Sequence, residues 1–213
     1  YIYKRSGTAW AQEAYVKAAN ADAFDNFGSL VSLSGDTLAV GAVSEDGGQT
    51  VISSCCFGNS DNTKTDAGAV YVYKRSGTTW AQEAYVKANN SDASDYFSNV
   101  ALSGDTLAVG ANGEDSNQNT ITNGTGSSAD NSNLSSGAVY VYTRAGSSWS
   151  QEAYLKASNN DAGDYFGIKV ALSGDTLAVG ALLEDSSQTN ITNGSTASTD
   201  NTMADAGAVY VYK

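Results

Sequence analysis

A motif that returns at a nearly constant interval constrains this chain more than any other property. YIYKRSG at residues 1–7 reappears as YVYKRSG at 71–77 and as YVYTRAG at 140–146, intervals of 70 and 69 residues, and a fourth copy opens at Tyr210. Trp10, Trp80 and Trp149 share one place in the repeat, and GDTLAVGA recurs at 35–42, 104–111 and 174–181. The one-residue difference falls after a phenylalanine: Phe27-Gly28 and Phe166-Gly167 are matched by Phe97-Ser98, and the stretch that follows is one residue shorter. A fixed period of this size implies one supersecondary unit per repeat, each burying its faces against its neighbours.

The repeats divide the chain as 1–70, 71–139 and 140–209, with 210–213 as the start of a further one. Repeat arrays ordinarily carry atypical, polar end units, and neither end here departs from the internal pattern. The expectation is a window of a longer array, or an assembling subunit, with its ends covered by more of the same chain or by other copies.

Within a repeat the apolar period is two. In Ala138–Tyr142, Val139 and Val141 face one way and Ala138, Tyr140 and Tyr142 the other, the alternation of a strand. Further strands are expected over Ser150–Ala157, around Ile168–Leu172 and over Thr176–Ala181, with turns at Ala145–Ser148 and Ser173–Asp175. Four short antiparallel strands in about 70 residues describe one blade of a β-propeller. The fold class expected is therefore all-β, a tandem array of four-stranded antiparallel blades.

Composition removes several functions. The chain has no histidine, so a His-based triad, a His-ligated zinc and imidazole base chemistry are excluded within it. Its net charge is -12, and its 11 Lys and Arg are scattered rather than gathered into the basic stripe that a nucleic-acid partner requires. No apolar run approaches the roughly 18 residues of a membrane span.

Three sets of residues carry a family likeness. Phe166-Gly167, the run VALSGDTLAVGA at 170–181 and GAVYVY at 207–212 resemble the FG-GAP repeat, the blade unit of the integrin alpha-subunit head and of many bacterial surface proteins. The resemblance covers the whole chain three times. It implies propeller blades, a fold that serves adhesion, scaffolding and secreted enzymes alike. The proline that ends the family's name motif is replaced by Val43, Asn112 and Leu182, and a bare Ser-Gly-Asp turn stands where integrins carry a calcium loop. The likeness is thus to the calcium-loop-free bacterial variety.

Two acidic clusters recur. One is Asn20/Asp22/Asp25, Asn90/Asp92/Asp95 and Asn159/Asp161/Asp164; the other is Glu45-Asp46, Glu114-Asp115 and Glu184-Asp185. Both fall at the same end of an up-and-down sheet and should gather on one rim. Calcium takes about 6–8 oxygen ligands, so Asp22, Asp25, Asp92, Asp95, Asp161 and Asp164 are the candidate metal ligands and calcium the candidate cofactor. The competing reading is that Asx residues build turns and cap loop backbone. Carboxylate pairs also serve glycoside hydrolysis, but three equivalent copies do not form the one asymmetric pocket that separates two pKa values. The chain is not expected to be an enzyme.

Each repeat holds a long loop, 46–68, 115–137 and 185–207, equal in length in all three. Loops beyond about 12–15 residues are functional, disordered or internally packed, and equal length favours a defined shape. Val51-Ile52, Ile121 and Ile191 are expected as one apolar anchor per loop, with Leu134 and Met203 as a second. Asn89, Asn123, Asn133, Asn190 and Asn193 each open an N-glycosylation triplet. Cys55-Cys56 occurs once, with a vicinal disulfide, a bond to another chain and free thiols all open to it. The aromatic residues are expected mainly in the core between blades rather than in a sugar site.

Two functions are expected on these grounds. The first is an extracellular structural protein assembling with other copies or with further repeats. The second is a cell-surface adhesion module holding a protein or glycan through one loop face.

Overall fold

The computed structural model describes residues 1–54 and 60–213; Cys55 and Cys56, the candidate disulfide, lie outside the described residues. The described chain is all-β, as the period-two pattern requires. A two-stranded hairpin comes first, β1 (Ile2–Ser6) and β2 (Ala9–Ala14). The first full sheet runs β3 (Phe27–Ser34), β4 (Thr37–Ala42), β6 (Ala69–Ser76), β7 (Thr79–Val86), with the two-residue β5 (Ser53–Ser54) on its outer edge. The second repeats this with β8 (Asn99–Ser103), β9 (Thr106–Ala111), β11 (Ala138–Ala145), β12 (Ser148–Leu155) and the short β10 (Thr122–Asn123). The third has three strands, β13 (Phe166–Ser173), β14 (Thr176–Ala181) and β15 (Ala208–Tyr212).

All pairings within the sheets are antiparallel, and each full sheet straddles a repeat border. The GDTLAVGA strand pairs with the YVY strand of the following repeat, as in Val40 with Tyr71 and Val109 with Tyr140. Gly35, Gly104 and Gly174 make the tight turns between the first two strands of each sheet, with φ of 56°, 58° and 55°. Left-handed backbone of this kind costs glycine no steric penalty.

The alternation gives each sheet two unlike faces. One carries the tyrosines and the other small β-branched residues and alanine. Ala39, Val70, Val72, Ala84 and Val86 of the first sheet pack on Val100, Leu107, Val109, Tyr140 and Tyr154 of the second. Val139, Ala153 and Leu155 on the second sheet's other face pack on Phe166, Leu177, Val179, Tyr210 and Tyr212 of the third. The hairpin covers part of the first sheet's tyrosine face, through Ile2 against the cluster of Leu38, Val40, Tyr71, Tyr73 and Tyr85. The phenylalanine of the name motif locks each tyrosine face edge-on: Phe27–Tyr71, Phe97–Tyr140 and Phe166–Tyr210 centroids are each 5.3 Å apart.

A glycine sets how closely successive sheets approach. A methyl group on Gly41 would strike the Ser98 carbonyl of the next sheet, and one on Gly110 the Gly167 carbonyl. Backbone meets backbone there, which is the physical content of the Gly-Ala in GDTLAVGA.

The long loops depart from expectation in how they are held. Ile52 does pack against the core. Val51, Ile121, Ile191, Leu134 and Met203 are exposed, so the other apolar anchors are not formed. Polar bonds replace them. Asp46, Asp115 and Asp185 each reach across the base of their loop to accept the backbone N–H of Asp66, Ser135 and Asp205. In the first two loops β5 and β10 add a short strand to β7 and β12, covering the outer edge of each full sheet.

Candidate functional site

The two acidic clusters do share one rim, and hydrogen bonds join them. Asn20 donates to Glu45 Oε1 at 3.0 Å and accepts from Tyr71 Oη at 2.7 Å. Asn90 repeats this with Glu114 and Tyr140, and Asn159 with Glu184 and Tyr210. Each Asx loop also closes on itself. Asp25, Asp95 and Asp164 accept the backbone N–H of Asp22, Asp92 and Asp161 at 2.8, 2.7 and 3.1 Å. The outer members, Asp22, Asp92 and Asp161, accept from Asn62, Asn131 and Asn201 of the long loops. Every candidate metal ligand therefore has a turn or loop-docking partner, and no group of three or more acidic or Cys side chains among the described residues is arranged to hold a metal ion.

Burial dominates the inner aspartates. It pushes the carboxyl groups up, Asp95 to about 7 and Asp164 to about 6, with Glu114 and Glu184 respectively among the nearby acids that add to the effect. Asp25 moves in the same direction for the same reason.

Beneath the rim lies a feature that the sequence reading did not single out. Lys87, just after β7, is fully withdrawn from solvent, with Nζ 3.3 Å from Glu45 Oε2 and 2.6 Å from the Gly68 carbonyl. Lys156, just after β12, meets Glu114 Oε2 and Ser136 Oγ, each at 2.8 Å. Burial lowers both ammonium pKa values, and the glutamate beside each opposes that shift. The signal was present as a lysine set between apolar residues in Val86-Lys87-Ala88 and Leu155-Lys156-Ala157.

A second recurring set joins neighbouring sheets at the opposite, hairpin end. Arg75 Nε donates to Asp36 at 2.7 Å, its Nη1 lies 3.3 Å from Glu13, and Trp80 Nε1 donates to the same Glu13 at 3.0 Å. Arg144 binds Asp105 and Glu83 at 2.8 and 3.0 Å, and Trp149 donates to Glu83 at 3.1 Å. Each guanidinium also lies over its tryptophan, 5.6 and 5.2 Å from the ring centroid.

The candidate glycosylation residues divide by environment. Asn123, Asn190 and Asn193 are exposed on the long loops. Asn89 is also exposed, but its amide bridges Thr125 and Ser127, and Asn133 donates to the Asn160 carbonyl.

The two end sheets expose unlike apolar faces. On the hairpin and first sheet, Tyr1, Tyr3, Trp10, Tyr15, Val31 and Leu33 are between 56% and 75% exposed. On the third sheet, Val209 and Val211 are 71% and 67% exposed. Their counterparts inside are covered: Tyr71, Tyr73 and Tyr85 on one side, Val70, Val72 and Val139 on the other. A model of the FG-GAP repeat matches residues 10–73, 80–142 and 149–212. No match is found among curated proteins.

Proposed function

We propose, from the premise that the chain belongs to the FG-GAP repeat family, that it is an extracellular structural protein which associates with further copies of itself through its two end faces. FG-GAP repeats are typical of extracellular and cell-surface proteins. One observation carries the assembly reading. The exposed tyrosine-bearing face at one end and the exposed valine face at the other have the residue types that pack together at both internal sheet interfaces. Exposed apolar side chains grouped on a face mark an interaction surface, and these two faces carry the two residue types that meet inside.

The rim acids support a structural rather than a catalytic role, since each is engaged in a turn, a loop contact or a buried pair that recurs from repeat to repeat. Sedimentation velocity over a range of protein concentrations tests the reading. Self-association predicts larger species that grow with concentration, and a monomer at all concentrations would overturn it.

A further inference from the structure

We propose that Asn123 is a self-modifying site: the Gly124 nitrogen attacks the Asn123 side-chain amide, the ageing chain comes to carry aspartate or isoaspartate there, and β10 is released from the edge of its sheet. The site is independent of the end faces and of self-association.

The chemistry needs an asparagine whose following residue does not crowd the attacking nitrogen, and glycine, without a Cβ, crowds it least. Asn precedes Gly at 112, 123 and 193, and the first two lie in the second repeat in opposite surroundings. Asn123 is exposed, as are Gly124, Thr125 and Gly126 after it. A methyl group placed on Gly124, whose φ is 88°, would meet nothing within 4 Å.

One bond restrains the nitrogen. The Gly124 N–H donates to the Glu152 carbonyl at 2.6 Å, directly after the two-residue β10, which pairs Thr122 with Tyr154 and Asn123 with Ala153. A strand this short at the outer edge of a sheet opens locally at a small fraction of the cost of global unfolding. Each opening frees the nitrogen to react.

Asn112-Gly113 has the same two residues and none of this freedom. Asn112 Oδ1 accepts from Asn99 Nδ2 at 3.2 Å, and the buried Gly113 donates its N–H to the Asp95 carbonyl at 3.1 Å. A methyl group on Gly113 would strike the Ser94 carbonyl. The same dipeptide is therefore reactive in one place and inert in the other, and the fold makes the difference.

The step balances with water as the one co-reactant. The Gly124 nitrogen gives its proton to solvent and bonds to Asn123 Cγ; the Cγ–Nδ2 bond breaks, and Nδ2 takes up a proton and leaves as ammonia. The resulting five-membered imide adds one water. Opening at one ring carbonyl gives aspartate, and opening at the other gives isoaspartate. Isoaspartate places an extra carbon in the main chain, so the Gly124 bond to Glu152 and the pairings of Thr122 and Asn123 cannot all stay in register. Gln151, which donates to the carbonyls of Gly124 and Gly126, then loses those partners, and the edge of β12 is uncovered.

The test incubates the folded, unglycosylated chain for weeks at mildly alkaline pH. Mass spectrometry follows the peptides that contain 112–113 and 123–124, and labelling by an isoaspartyl methyltransferase counts the isoaspartate. Asn123 should convert at least about tenfold faster than Asn112 in the folded chain. In urea the two rates should converge, because the fold no longer separates them. Asn123→Gln should leave the peptide unlabelled, and the Gly124 amide should lose its protection from hydrogen exchange in the isoaspartate form. An Asn123 that keeps its amide, or that converts no faster than Asn112 in the folded chain, would overturn the site. An isoaspartate form with the Gly124 amide still protected would overturn the release of β10.

Discussion

Lys87 and Glu45 form an ion pair with both side chains removed from water, Nζ to Oε2 3.3 Å, and Lys156 with Glu114 repeats it one sheet further on at 2.8 Å. The pair ties the end of a sheet's fourth strand to the loop leaving its second strand, and Asn20 and Tyr71 extend it to the acidic rim. Such a pair gains little over a well-packed apolar pair, but breaking one partner leaves a buried charge alone. Lys87→Met should therefore lower stability by about 3–5 kcal/mol. Adding Glu45→Leu should recover part of that loss. Urea denaturation of the single and double variants measures both, and a single variant within about 1 kcal/mol of wild type would contradict the burial assigned to the pair.

Asp95 makes stability depend on pH in the unusual direction for a carboxylate. Its folded pKa of about 7 lies above the ordinary 3.8, so the folded chain holds this proton more tightly than the unfolded chain. The contribution is fully present below about pH 4 and is lost as pH rises through 7. Asp95→Asn retains an oxygen to accept the Asp92 N–H and removes the ionisation. It should raise stability by up to about 4 kcal/mol at pH 8, and by much less at pH 5. Urea midpoints at the two pH values supply the comparison; an equal change at both would be inconsistent with a raised Asp95.

Gly110→Ala should destabilise by about 3 kcal/mol, because its methyl would meet the Gly167 carbonyl of the next sheet. Gly180→Ala, at the equivalent place on the open face, should stay within about 0.5 kcal/mol of wild type. The contrast is readable from thermal melts. Equal losses at both positions would mean that the strand itself, rather than the close approach of sheets, requires glycine.

Arg144→Lys keeps the charge but loses the planar fork that reaches Asp105 and Glu83 together while covering Trp149. The expected cost is about 2 kcal/mol, accompanied by a change in tryptophan emission as Trp149 loses its cover. An unchanged spectrum and melting point would remove this set from the sheet-to-sheet contacts.

Much of this was legible in the residues. The residues predict a strand over Thr176–Ala181, and the structure has the same strand. The shared rim followed from up-and-down topology. The grouping of strands into sheets was not legible: period two says which residues face together but not which strands pair, so the hydrogen bonding of Val40 with Tyr71 across a repeat border needed the fold. Lys87 is not legible as a buried group because a lone lysine at the end of a strand is ordinarily a solvated side chain. Its burial depends on Glu45, 42 residues away. The apolar anchors expected at Ile121 and Ile191 do not form, because the loops are held instead by backbone N–H bonds to Asp115 and Asp185.

The central claim is that the two end faces of this chain recognise each other. Sedimentation velocity of the wild-type chain across about two decades of concentration addresses it most directly. The account predicts species larger than 21.9 kDa whose share rises with concentration. A single 21.9 kDa species throughout would contradict it.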